Sequence, residues 1–170
     1  MEATVQKHTF GPVYDKDSKI LILGSFPSVK SREQNFYYGH PRNRFWEVLS
    51  RLYREDIPKE IEMKKDFLYR HHIALWDVCG ECEIAGSADS TIRHVVPNEI
   101  GSILDSAKIK EIFVNGKKAE ALFKTHLFPM IGRKAIVLPS TSPANAAYRL
   151  DELIQEWSRI QQVTEQENSN

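Results

Sequence analysis

Four short apolar runs, each followed by a helical pattern, constrain the fold of this chain more than any other feature. The runs are KILIL, IALWDV, EIFVN and KAIVL, at residues 19–23, 73–78, 111–115 and 134–138. Continuous apolar runs of this length are typical of strands that are buried on both faces. Because helical patterns separate the runs, the sequence predicts a three-layer α/β/α sandwich around a four-stranded, mainly parallel sheet.

The segments between these runs carry apolar residues at three- and four-residue spacing, which is typical of amphipathic helices. On this spacing we predict helices over residues 43–53, 58–70, 97–104, 119–125 and 144–162. No internal repeat or linker interrupts the pattern, and 170 residues suit one domain. We therefore expect a single domain over residues 1–163, followed by a frayed polar tail over residues 164–170.

Composition narrows the class of protein further. The chain is 41% hydrophobic and 27% charged, which is ordinary for a globular protein. It holds no apolar run near the roughly 20 residues that span a bilayer, and its first residues, MEATVQKHTF, lack a signal-peptide core. We expect a cytoplasmic monomer with no membrane association, which would be nucleoid-associated if prokaryotic.

The two cysteines form a C-x-x-C pair, Cys79 and Cys82, which alone suggests half a zinc site or a redox motif. A zinc site needs further ligands, and neither a second C-x-x-C nor an H-x₃-H pair follows. The flanking Gly80, Glu81 and Gly86 predict a loop after a strand. We expect unpaired thiols in a reducing compartment, and neither a metal nor a cofactor.

Charge is balanced overall but distributed unevenly. Basic and acidic residues number 23 each, which argues against a broad electrostatic interaction with nucleic acid. Residues 30–54, however, hold six Lys and Arg residues against two Glu residues, whereas acidic residues gather in residues 151–167. A local basic contact with DNA phosphates is therefore compatible with the composition.

The loops after the four apolar runs predict where a ligand binds. In an open parallel sheet, ligands bind beyond the carboxyl ends of the strands, where this chain has GSFPS, DVCGEC, NGKK and PSTSPAN. Gly, Ser, Pro and Asn in such loops expose backbone N–H groups and small hydroxyls. The first loop, residues 24–44, is unusually long, and loops of that length are usually functional.

That long loop ends in the densest cluster of functional side chains, NFYYGHPRNRFW at residues 35–46. Aromatic rings offer faces on which nucleobases stack, and arginines bind phosphate oxygens. For Phe45 and Trp46 we favour packing in the core beneath the following helix. For Tyr37, Tyr38 and Asn43 we favour a functional role.

Three segments, in the order in which they occur along the chain, resemble the motifs of the uracil-DNA glycosylase superfamily. They are GSFPS, FYYGHPRNRFW and LPSTSPAN. The GHPRN string is similar to its hypoxanthine-DNA glycosylase branch, family 6, and the resemblance spans residues 19–148. It implies a monofunctional DNA repair glycosylase that flips a deaminated base out of DNA. The implied reaction is hydrolysis of the N-glycosidic bond of that base, with hypoxanthine (deoxyinosine) as the favoured target and no strand cleavage.

Two positions depart from the superfamily pattern. Phe26 stands where many relatives have Asp or Asn before the Pro of the first motif, and Leu138 stands where the second motif of well-known relatives begins with His. Neither side chain can orient water or stabilise the leaving base, which argues against efficient uracil removal. The resemblance instead implies that the Asn of GHPRN, Asn43, carries catalysis.

Glycosidic cleavage passes through an oxocarbenium-like sugar, and it is assisted by oriented water and by donation to the departing base. We assign orientation of the attacking water to Asn43. We assign hydrogen-bond donation to the departing base to the backbone N–H groups of Ser25 and Phe26. Phe26 or Tyr38 would stack on the base, and Asp77 would accept the N1–H of hypoxanthine. An interpretation of Asp77 as a loop or helix cap stays open.

The remaining candidates bind DNA or cap helices. Phosphate contacts are assigned to Ser28, Arg42, Arg44, Ser140, Thr141 and Ser142. His40 either assists the leaving group or is a hydrogen-bonded loop residue. Asn115 and Asn145 are predicted helix caps, with a phosphate contact by Lys117 and Lys118 as an alternative for the NGKK loop.

Two other functions are compatible with the sequence. One is a uracil or G:U/G:T mismatch-specific glycosylase with the same fold. The other is a non-catalytic nucleotide- or phosphate-binding module of flavodoxin-like shape. The second alternative explains the Ser-rich loops but leaves the aromatic, Arg and Asn cluster of residues 35–46 unexplained.

Overall fold

A computed structural model describes residues 2–166 of the chain. Its strands are β1 (Thr4–Lys7), β2 (Ile20–Gly24), β3 (Ile73–Asp77), β4 (Cys79–Ala85), β5 (Ala88–Pro97), β6 (Glu111–Asn115) and β7 (Ile136–Leu138). Its helices are α1 (Val29–Gln34), α2 (Phe45–Tyr53), α3 (Ile61–Arg70), α4 (Gly101–Ser106), α5 (Lys117–His126), α6 (Phe128–Ile131) and α7 (Leu150–Thr164). Four of these strands are the four apolar runs of the sequence.

The four apolar strands form one parallel sheet in the order β3-β2-β6-β7, which confirms the predicted fold class. Successive side chains of a strand point to opposite faces. Ile20 and Ile22 of β2 accordingly pack in a core with α2, α3 and α7. Leu21 and Leu23 pack in a second core with α4 and α5. Helices therefore cover both faces of the sheet.

A second sheet was not predicted. Its strands β1, β4 and β5 pair in antiparallel fashion in the order β1-β4-β5. The loop predicted around the C-x-x-C pair is wrong, because β4 starts at Cys79 and turns Cys82 and Ile84 inward while their neighbours are partly exposed. Both cysteines are free, as predicted, and buried. Pro97 ends β5 and does not open a helix, since α4 begins only at Gly101.

Two further features differ from the prediction. The long first loop contains α1, whose N-terminus is capped by Ser28. The last helix begins at Leu150 and not at residue 144, because Arg149 is its N-cap and its backbone N–H donates to Glu152. At the end of this helix, the Thr164 hydroxyl bonds the Tyr53 hydroxyl at 2.6 Å. Residues 167–170, which belong to the predicted tail, lie outside the described residues.

No helix within residues 2–166 is both long enough and apolar enough to cross a membrane. The longest helix, α7, is instead amphipathic, and it places Leu153, Trp157 and Ile160 in the core. The indole N–H of Trp157 also donates to the Pro139 carbonyl at 2.9 Å. This contact ties α7 to the loop that follows β7.

Replacing Trp157 by Ala should lower the free energy of unfolding by about 3–5 kcal/mol, because it removes a fully buried ring and leaves a cavity. Urea denaturation measures the loss. The matched control is Arg159→Ala, an exposed position on the same helix, which should change stability by no more than about 0.5 kcal/mol. Equal losses in the two variants would contradict this view of the core.

Candidate active site

The Asn43 side chain is hydrogen-bonded to two different segments. Its Oδ1 accepts from the backbone N–H of Phe45 at 3.0 Å and from the hydroxyl of Thr141 at 2.8 Å. A backbone N–H can only donate, so the atom facing Phe45 must be the amide oxygen. The orientation of the amide is therefore set, and the Asn43 NH₂ group makes no hydrogen bond to any of the described residues.

Thr141 connects Asn43 to the end of β6. Its backbone N–H donates to Asn115 Oδ1 at 3.1 Å, and its hydroxyl accepts from Asn115 Nδ2 at 3.0 Å. Because the hydroxyl accepts from Asn115, its own hydrogen is available for Asn43. Thr141 is 0% exposed, so in this structure its side chain is not accessible for the phosphate contact expected from the sequence. Asn115 is not the predicted helix cap, because its side chain binds Thr141.

The loop after β7 is held against the start of α2 by Arg44. The Arg44 guanidinium donates to the carbonyls of Tyr148 at 2.6 Å and of Asn145 at 3.1 Å, and its backbone N–H donates to Thr141. Asn145 does not cap the last helix as predicted, since its amide donates to the Ser140 carbonyl. Arg44 thus anchors this loop.

The other predicted phosphate ligands are exposed or half-buried. Arg42 is exposed, and its backbone N–H donates to His40 Nδ1 at 3.0 Å, so His40 is a hydrogen-bonded loop residue. Ser142 donates its backbone N–H to the Ser140 hydroxyl. Ser28 accepts from the backbone N–H of Ser31 and caps α1. Of this group, only Arg42 presents an unengaged cationic side chain.

Asp77 and Tyr38 meet at Gly24, the last residue of β2. A β-carbon on Gly24 would lie 2.5 Å from Asp77 Oδ1 and 2.9 Å from the Tyr38 hydroxyl. These two oxygens therefore occupy the space that a side chain at position 24 would fill. A non-glycine residue would have to displace them, which explains why the strand ends in Gly.

His8 binds the other oxygen of Asp77. The distance from His8 Nε2 to Asp77 Oδ2 is 2.8 Å, and the two side chains are 3% and 4% exposed. His8 follows β1, and its backbone N–H donates to the Gly80 carbonyl of β4. Sequence analysis missed His8, because nothing in MEATVQKHTF indicates that this segment reaches the carboxyl end of β3. Asp77 is neither a loop cap nor a helix cap.

The Tyr38 ring and hydroxyl have different surroundings. The ring stacks on Phe45, with centroids 4.0 Å apart and planes tilted by 22°. The hydroxyl is buried and has no hydrogen-bond partner among residues 2–166. Burial raises the pKa of Tyr38, and the negative charge of Asp77 raises it further, while the nearby Asn115 amide opposes the shift. Tyr38 has a φ of 54°, a conformation that non-glycine residues adopt mainly at functional sites or turns.

Ser25 and Phe26 lie directly after Gly24. The Ser25 hydroxyl donates to Asp89 of β5 at 2.9 Å, a contact that sequence analysis missed with the rest of the second sheet. Phe26 is buried, and the Arg32 guanidinium lies 5.5 Å from its ring centroid. Within the described part of the chain, the backbone N–H groups of both residues donate no hydrogen bond outside the strand ladders.

These contacts bring the loops of β2, β3, β6 and β7 together at one edge of the sheet. Two open clefts of the described surface lie elsewhere and share no residue with this group, one beside α3 and the other between β1 and α1. The site is therefore distinguished from the rest of the described surface by its hydrogen-bond donors and acceptors and not by the size of a cleft. Phe45 and Trp46 are buried as predicted, and Phe45 stacks on Tyr38 of this site.

Comparison with known proteins gives consistent matches over most of the chain. The model of the "Uracil DNA glycosylase superfamily" matches residues 12–162. A hypoxanthine DNA glycosylase of Methanosarcina barkeri is 34% identical over 83% of this chain and 89% of its own length. One from Methanosarcina acetivorans is 35% identical over 84% and 90%. A solution NMR structure of a uracil DNA glycosylase candidate from M. acetivorans superposes with a TM-score of 0.76 at 31% identity, covering 93% of this chain and 99% of that one.

The chain is a DNA glycosylase, a hydrolase that acts on bases in DNA. This follows from its fold, from the order of its loops and from its similarity to the family model, the relatives and the solved structure. The chain belongs to the uracil DNA glycosylase superfamily. Its substrate is accordingly DNA, and its role is in DNA repair.

The buried Tyr38 hydroxyl should make the protein less stable at alkaline pH. Its pKa is raised in the folded state above the ordinary value of 10.0. Its contribution to stability is therefore present below about pH 10 and is lost at higher pH, where only the unfolded chain releases the proton. In Tyr38→Phe, the decline in unfolding free energy between pH 7 and about pH 10.5 should be shallower than in the wild type. Urea denaturation at both pH values measures it, and identical declines would contradict it.

Proposed function

We propose that this DNA glycosylase hydrolyses the N-glycosidic bond of deoxyinosine and releases hypoxanthine after flipping the base out of DNA. Two relatives named hypoxanthine DNA glycosylase support this substrate, since each aligns with more than four fifths of the chain. The absence of polar side chains at Phe26 and Leu138, both buried, is consistent with weak action on uracil. The observation that carries the proposal is the oriented amide of Asn43 at the carboxyl end of the sheet.

The orientation of Asn43 suggests what its side chain does in the reaction. Its oxygen already accepts two hydrogen bonds, so its remaining capacity is that of a donor. A donor stabilises negative charge, and negative charge develops on the base as the glycosidic bond breaks. We therefore assign the Asn43 NH₂ group to the departing base and revise the earlier assignment to the attacking water. This donor would supply the help that a His at position 138 gives in relatives.

Discrimination against adenine follows from hydrogen-bond direction. The backbone N–H groups of Ser25 and Phe26 would donate to O6 of hypoxanthine. Adenine places an amino group there, so donor would face donor, and buried groups would be left unpaired. A site built in this way rejects the undamaged base strongly without an editing step.

Contacts with the DNA backbone would come from the rim of the site. Arg42 is exposed and free to bind phosphate, while Ser28, Ser140 and Ser142 line the neighbouring loops. Arg44 would act indirectly, because it holds the loop of residues 139–149 in place. We further propose that the enzyme is monofunctional, acts as a monomer in the cytoplasm, requires neither metal nor cofactor, and comprises one domain over residues 1–163.

A uracil or mismatch-specific glycosylase is the second candidate, favoured by the name of the superposed M. acetivorans structure. Oligonucleotides that contain either deoxyinosine or deoxyuridine at the same position, incubated side by side with the enzyme, separate the two. Release of hypoxanthine with little release of uracil supports the proposal. Release of uracil alone would contradict it.

Replacing Asn43 by Asp tests the donor role. Asp keeps an oxygen for Phe45 and Thr141 but replaces the NH₂ group with a second acceptor. Both Asn43→Asp and Asn43→Ala should slow base release by about 10²–10³-fold, the typical cost of removing one donor from a developing negative charge. Single-turnover kinetics with saturating enzyme measure the chemical step on deoxyinosine DNA.

Gln155→Glu is the matched control, because it introduces the same charge at an exposed position on α7. It should leave the rate unchanged. A near-wild-type rate for Asn43→Asp, with a slow Asn43→Ala, would show that the side chain acts as an acceptor for water. Loss of base release in Asn43→Ala, with DNA binding retained, would also decide against a non-catalytic binding module.

Replacing Thr141 by Val tests the support of Asn43. Val has a similar volume but cannot donate to Asn43 or accept from Asn115. We expect the single-turnover rate to fall about tenfold, as for a hydrogen bond worth 1–1.5 kcal/mol, with DNA affinity nearly unchanged. Thr125→Val, at an exposed position on α5, is the control. An unaffected rate in Thr141→Val would contradict the positioning role.

A further inference from the structure

The carboxyl ends of β2 and β3 present a donor and an acceptor side by side. The Tyr38 hydroxyl is buried and has no hydrogen-bond partner in the described part of the chain, and Asp77 Oδ1 lies beside it above Gly24. Leaving a buried hydroxyl unpaired costs free energy, so such groups in folded proteins call for an explanation. The raised pKa of Tyr38 keeps its proton in place for donation.

His8 holds the Asp77 carboxylate in one orientation. Its Nε2 lies 2.8 Å from Asp77 Oδ2, and both side chains are almost completely buried. The His8 ring is held by aromatic neighbours, with centroid distances of 4.5 Å to Phe10 and 6.0 Å to Phe26 and Tyr37. Asp77 Oδ1 is thus held beside the Tyr38 hydroxyl above Gly24.

We propose that Tyr38 and Asp77 bind the lactam edge of the flipped base, and that His8 is a positioning residue that holds Asp77 Oδ1 toward the N–H of this edge. In hypoxanthine, N1–H would donate to Asp77 Oδ1 and O6 would accept from the Tyr38 hydroxyl. A carbonyl has two lone pairs, so besides the Tyr38 hydroxyl O6 can accept from one of the two backbone N–H groups of Ser25 and Phe26. This inference rests on the proposed function and assigns the residues that select its substrate.

The arrangement separates hypoxanthine from adenine. Adenine reverses both groups of the edge, since N1 accepts and the 6-amino group donates, so neither Tyr38 nor Asp77 is satisfied.

The test uses the full chain with three substitutions. Tyr38→Phe removes the donor but keeps the ring on Phe45, and His8→Phe removes the donor to Asp77 but keeps an aromatic ring among Phe10 and Phe26. His8→Gln retains a donor and serves as the conservative variant. For each protein, kcat/KM is measured on deoxyinosine DNA. Affinity is measured for DNA carrying a tetrahydrofuran abasic-site analogue, which has no base edge.

Release of hypoxanthine by the wild-type enzyme is measured first, because the absence of release would overturn the proposed function itself. Given that activity, Tyr38→Phe and His8→Phe should each lose about 10–100-fold in kcat/KM, as expected when a buried partner is left unpaired. His8→Gln should recover part of the loss. Affinity for the abasic analogue should stay within about twofold of wild type.

Three results would overturn the inference while leaving the proposed function intact. The first is unchanged kcat/KM in both phenylalanine variants. The second is a parallel loss of abasic-DNA affinity, which indicates a structural role only. The third is an equal loss in His8→Phe and His8→Gln. Should His8→Phe fail to fold, as judged by thermal unfolding, Tyr38→Phe and His8→Gln decide the question on the same readouts.

Discussion

Parallel pairing of β2 with both β3 and β6 is the constraint on which the site depends. It sends the loops after these strands, and after β7 beyond them, to the same edge of the sheet. Residues far apart in the sequence can then bond directly, as Asn43, Thr141 and Asn115 do. The two apolar cores stabilise this pairing from both sides, so the geometry of the loops is supported by most of the buried surface.

The sequence was sufficient to predict those parts of the structure that local patterning determines. Continuous apolar runs such as KILIL cannot be satisfied at the surface, and the four strands followed from them. The position of Asn43 beside the PSTSPAN loop also followed, since parallel strands end at one edge. Thr141 was misjudged because a hydroxyl in a Ser- and Thr-rich loop looks the same in sequence whether it faces solvent or a buried amide.

The second sheet was harder to predict because its strands depend on each other. β4 is interrupted by irregular pairing with β5, which breaks the strict alternation that identifies a strand. β1 gains its structure from pairing with β4, and such long-range pairing leaves little trace in a four-residue segment. His8 and Asp89 reach the site only through this sheet, so both were missed. The alternating residues around Cys82 and the turn at Gly86 were the available signals.

The hydrogen bond from the Phe45 N–H to Asn43 Oδ1 also lies at the first turn of α2. One interaction therefore satisfies a backbone N–H at the start of the helix and fixes the orientation of the Asn43 amide. The side chain is ordered when the chain folds, so its ordering entropy is not lost again when DNA binds. In this protein, one hydrogen bond both satisfies the first turn of a helix and preorganises the active site.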